Sequence, residues 1–145
     1  MEEIFKLRQL IEQQRYPEAL NLIGEMEEMS KDDKINKIIS YMEILLLHLI
    51  KQTVEKRSTK SWDVSIKNCL YQIARTNKRR KAGGYYLTEE DLKEALEEAW
   101  IPAIRMASLE TANGKYDEEE LLQIVDKHML LKKALELILI EQQNR

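Results

Sequence analysis

Between Tyr41 and Ile50 the chain reads YMEILLLHLI, with only Glu43 and His48 interrupting the apolar residues. Wound as a helix, this stretch is apolar on nearly every side, and such a helix must be surrounded by other helices. Ile35, Ile38, Ile39, Met42, Leu46, Leu49, Ile50 and Thr53 extend it along one broad arc. The spacing therefore predicts a central helix over about residues 31–56, roughly 39 Å long. Ser30 and Asp33 form a capping-box-like start for it.

The rest of the sequence supplies helices to surround it. Ile4, Leu7, Leu10 and Ile11 predict a first helix over 2–14. Pro17 suits the first turn of a second helix, 17–29. The string RYPEALNLI resembles the start of the second helix of a tetratricopeptide unit, but no repeat follows, so residues 1–29 read as one helical hairpin. Ser61 is expected to cap a fourth helix that runs to about Lys78–Arg80, with the stripe Trp62, Ile66, Cys69, Leu70, Ile73 and Asn77. Ala82-Gly83-Gly84 ends it. Thr88 with Asp91 opens a fifth helix, which Pro102 should kink or interrupt. Asn113-Gly114 marks a turn, and Asp117 with Glu120 caps a last region over 118–143 that breaks near Asp126–His128. The expectation is an all-α fold in a single domain, 1–145. It is an irregular bundle of six to seven helices, in which 30–81 holds the central and basic helices and 82–145 the acidic ones.

Charge divides along the same lines. Residues 1–50 carry six Lys/Arg against ten Asp/Glu, residues 51–81 ten against two, and residues 82–145 seven against fourteen. A basic block inside a chain of net charge −3 is either a ligand surface or an internal partner for the acidic arms. On a helical projection Lys67, Tyr71, Arg75 and Lys78 share an arc of roughly 80°, opposite the apolar stripe. Arg79 stands at its border, and Arg80 and Lys81 extend it. A basic row with an embedded aromatic suits a phosphate backbone with stacked bases, RNA above all. The same row suits an acidic protein partner or a second copy of the chain. The bland alternative pairs it with the Glu-rich helices, where each exposed pair contributes only about 0–1 kcal/mol.

Other chemistry finds little support. His48 reads as a buried, hydrogen-bonded histidine and Cys69 as a small apolar residue. His128 shares no ligand spacing with either, so no metal or other cofactor is expected. An enzyme, such as a ribonuclease using His128 with basic residues, is the third reading after a nucleic-acid binder and a protein-interaction or homodimeric module. Glu43 should pair with Arg57 or Lys67. Trp62 reads as core rather than as an exposed anchor, and Tyr85-Tyr86 as packed in a structured turn. One cysteine and an acidic start without a leader pattern point to the cytoplasm. No apolar run approaches the about 20 residues of a membrane span.

One string is specific. His48-Leu-Ile-Lys51 is followed by Arg57-Ser-x-x-Ser61-Trp62-x-x-Ser65-Ile66 and later by Ala107-Ser-Leu-Glu-Thr111. Together these resemble the bacterial domain-of-unknown-function family twenty-nine (DUF29) over most of residues 2–140. The resemblance implies an all-helical fold and no particular activity. The segment KRRKAGGYY departs from the longer members.

Overall fold

The computed structural model describes residues 2–79 and 83–145. Every regular element among them is helical: α1 (Glu2–Glu12), α2 (Tyr16–Glu55), α3 (Lys60–Asn77), α4 (Glu89–Glu110), a 3-10 turn (Thr111–Gly114), α5 (Glu118–Ile124) and α6 (Lys127–Gln143). None is long and apolar enough to cross a membrane. The chain divides into two compact units, Met1–Lys34 and Ile35–Arg145.

In the first unit α1 and the start of α2 form the expected hairpin. Gln14 turns the chain at φ 58°, and Pro17 sits in the first turn of α2. Leu10, Ala19 and Leu22 are buried, with Leu7 and Met26 packed against them.

The second and third expected helices are one helix, α2, with no break at Ser30. Ser30-Lys31-Asp32-Asp33 holds neither Gly nor Pro. A cap there would contribute about 1 kcal/mol. Continuing the helix keeps several backbone hydrogen bonds, each of net value about 0.5–1.5 kcal/mol.

In the second unit the apolar stretch of α2 occupies the centre of the core. Ile38, Met42, Leu45, Leu46 and Ile50 are fully buried, and only Ile44 among their apolar neighbours faces out. Cys69, Leu70 and Ile73 of α3 share that core with Leu92, Leu96, Trp100 and Ile104 of α4 and with Leu130, Ala134 and Ile138 of α6. α6 packs on both α3 and α4. The fully buried tryptophan is Trp100, whereas Trp62 is only half-buried.

Three local expectations change. α4 runs unbroken through Pro102. Pro102 lacks the N–H that would bond the carbonyl of Glu98, a residue on an exposed side of the helix. The cap of α3 is Thr59, whose hydroxyl accepts the Trp62 N–H; Ser61 is exposed within the first turn. α3 ends at Asn77, before Lys78. The capping boxes of Thr88 with Asp91 and Asp117 with Glu120 form as expected. The last region is two helices, because Asp126 starts α6 by accepting the Met129 N–H at 3.1 Å.

Candidate functional site

The fourth expected helix is α3; it carries Lys67, Tyr71 and Arg75 of the basic row, and Lys78 and Arg79 follow its end. Lys67, Arg75, Lys78 and Arg79 are exposed, and Tyr71 is 38% exposed. Arg80, Lys81 and Ala82 lie outside the described residues. None of the four exposed cations forms an ion pair among the described residues. The acidic helices find other partners: Glu97 binds Lys127 at 2.9 Å and Glu118 binds Arg105 at 3.3 Å.

At the end of the row Arg79 and Asn77 are hydrogen-bonded to Gly84 and Tyr86. The Arg79 N–H donates to the Gly84 carbonyl at 3.0 Å and the Tyr86 N–H to the Asn77 carbonyl at 2.8 Å. Gly83 and Gly84 take φ of 77° and 72°, which a β-carbon would strain. Asn77 is fully buried. Its Oδ1 accepts the Leu87 N–H and its Nδ2 donates to Gln142 Oε1, both at 2.8 Å. The Tyr85 hydroxyl donates to the Gln142 carbonyl at 3.1 Å. These bonds tie the end of α6 to the end of α3. They bring Arg145 over Tyr71, its guanidinium 4.5 Å from the ring centre. Glu141 holds Arg145 through Nη2 and Nε at 2.6 and 2.7 Å. Arg79 stands 5.6 Å over the Tyr86 ring. The loop tyrosines are thus part of a structured turn. Arg145 joins the row from 70 residues away, and no local spacing announces it.

The family-like residues form a second cluster. Lys51 is buried and lies 5.1 Å from the Trp62 ring centre, and Arg57 lies 4.8 Å from it. Lys51 Nζ also meets Glu110 Oε1 at 3.3 Å. Arg57 pairs with Glu55 at 2.9 Å. Glu55 in turn accepts the Ala112 N–H at 3.1 Å, the main cause of its lowered pKa. The Ser58 hydroxyl donates to Asp63 at 2.6 Å and accepts from Gln52 at 2.9 Å. Ser65 contacts Cys69, and Ile66 packs half-buried on the core. Lys56, Ala112 and Asn113, none of them glycine, take φ of 53°, 48° and 59° beside this cluster. The Glu55–Ala112 bond helps to hold that strained backbone. The motif therefore reads as a joint that fastens the end of α2, the start of α3 and the end of α4.

Two expected buried partnerships are absent. His48 is half-buried, and its Nδ1 is buried without a hydrogen bond among the described residues. Burial lowers its pKa, and the Lys51 charge lowers it further. Glu43 pairs with neither Arg57, which is taken by Glu55, nor Lys67, which is exposed. Burial raises its pKa. Cys69 is buried as expected, its thiol pushed up to about 11 chiefly by burial.

His128 lines an open groove of about 820 Å³ between α4 and α6, floored by Leu96, Leu131, Leu135 and Leu139 and edged by both signs of charge. None of the row's described residues lines that groove. Among the described residues no three His, Cys, Asp or Glu side chains gather as a metal site requires.

No curated protein and no solved structure is significantly similar to the chain. A family model does match it over residues 4–135, a span that takes in the Trp62 joint, α3 and most of the helical core. The chain therefore belongs to the family described as domain of unknown function DUF29.

Proposed function

We propose that the protein is a non-enzymatic binding protein whose contact surface is the basic face of α3 with the turn that follows it, and that its ligand is nucleic acid, RNA in the first place. The observation that supports this reading is the exposure of Lys67, Arg75, Lys78 and Arg79 without acidic partners among the described residues. Exposed cations placed in a row along one helix release counterions when phosphates replace the salt around them. The excess of Glu and Asp on α4 and α5 works against the same attraction at those helices. The lone buried Cys69 agrees with a reducing bacterial cytoplasm as the setting.

Retention on immobilised RNA, measured against salt, tests the reading. Wild-type protein should show a log–log salt slope that falls by about 0.7 for each cation removed. Changing Lys67, Arg75, Lys78 and Arg79 together to Ser should abolish retention while leaving the helical circular-dichroism spectrum intact. Unaltered retention in that variant overturns the proposal.

A further inference from the structure

Tyr71 is the one aromatic on the outer face of α3 that is flanked by cations on both sides. Lys67 and Arg75 each stand four residues from it, about 6 Å along the helix axis. In a duplex the base faces are already stacked on one another, so an exposed protein ring can stack only on a base that is unpaired.

The ring does not stand alone. Arg145 lies over it at 4.5 Å, and Glu141 fixes that guanidinium by two contacts. The helix end that carries Arg145 is anchored by the buried Asn77–Gln142 bond at 2.8 Å. Tyr71 and Arg145 thus form a cation–ring pair that exists before any ligand arrives. Guanidinium planes and aromatic rings are the two side-chain surfaces on which unpaired bases stack. Fixing both in advance lowers the ordering cost of binding.

Resting on the reading of the basic face above, we propose that the ligand is single-stranded, that one unpaired base stacks on the Tyr71–Arg145 pair, and that the flanking phosphates meet Lys67 and Arg75. Arg145 acts here as a stacking surface, its charge balanced by Glu141.

Fluorescence anisotropy with a labelled oligouridylate and a blunt RNA duplex of equal length tests this on the full chain. The oligouridylate should bind more tightly than the duplex. Tyr71→Leu should weaken it about tenfold without changing the salt slope, because a stacking surface is lost and no charge. Tyr71→Phe, which keeps the ring, should retain the affinity. Arg145→Gln should weaken binding with little change in the slope, because Glu141 already balances the guanidinium charge. Equal affinity for the duplex, or an unchanged Tyr71→Leu variant, overturns the stacking site and leaves the basic-face reading in place. Equal losses in Tyr71→Phe and Tyr71→Leu overturn the ring as the seat. Failure of the wild-type protein to bind either probe overturns both proposals.

Discussion

His48 sits among Leu45, Leu47 and Leu49 on α2, with Lys51 and Glu110 as the charges that act on it. Burial is the larger influence, and it favours the neutral ring; Lys51 adds to this and Glu110 opposes it. The folded state therefore holds the His48 proton less tightly than the unfolded chain does. Stability from this group is fully present above the unfolded value of about 6.5 and is lost as pH falls through the lower folded value. Glu43, with its raised pKa, pulls in the other direction. The readout is accordingly the difference between wild type and His48→Met in urea midpoint from pH about 7.5 to 5. The variant should lose less stability over that range, and parallel curves would remove His48 from the account. Site residues like this one are only partly legible in sequence. The position of His48 in an apolar stretch announces burial, but the orphaned Nδ1 depends on what α4 delivers opposite it. Asn77 shows the same limit. Its place on the α3 stripe is readable, whereas its partner Gln142 lies 65 residues away.

Helix ends test what local chemistry alone decides. Thr59 and Ser61 are both hydroxyl residues near the start of α3, and either can cap a helix in principle. Thr59 has the extended backbone that a cap requires, with φ −122° and ψ 161°, and its oxygen accepts the Trp62 N–H. Thr59→Ala should therefore cost about 1 kcal/mol, and Ser61→Ala should stay within about 0.5 kcal/mol of wild type. The reverse order in thermal or urea melts would move the cap to Ser61. The cap of α3 depends on Arg57 and Ser58, which the Trp62 joint holds in place, so sequence spacing cannot choose between the two hydroxyls. The boxes at Thr88 and Asp117 were legible because each has its acidic partner three residues on and a turn just before it. At Ser30 the same spacing misleads, since no turn residue precedes it and α2 continues. Amphipathic stripes were the most reliable signal: that of α4 is buried where the periodicity places it, and that of α3 is buried from Cys69 onward, with Trp62 and Ile66 half-buried.

Across the whole molecule, charge and apolar burial are both unevenly distributed, and each has a consequence. The basic block is visible in the sequence as ten Lys/Arg against two Asp/Glu over residues 51–81. Only the structure divides it into Lys51 and Arg57, spent on the Trp62 joint, and the row that is left exposed. Burial is uneven in the same way. The unit Ile35–Arg145 carries the extended core around Met42, Leu46, Trp100 and Ile104. Among the described residues of Met1–Lys34, Leu10, Ala19 and Leu22 are buried, with Leu7 and Met26 packed against them, and α1 has 11 residues. Helices shorter than about 12–15 residues are marginal on their own, so within its unit α1 rests on that small cluster. Opening of α1 should then cost about 1–2 kcal/mol, against the 5–15 kcal/mol typical of global unfolding. Native-state hydrogen exchange resolves the two. Amides of α1 should exchange first and with little dependence on denaturant. Those of Leu45–Ile50 and Trp100–Ile104 should exchange only through global unfolding, with the full denaturant slope. Equal protection in α1 and at Ile104 would show that the hairpin opens only with the rest of the chain, and that its three buried residues understate what secures it.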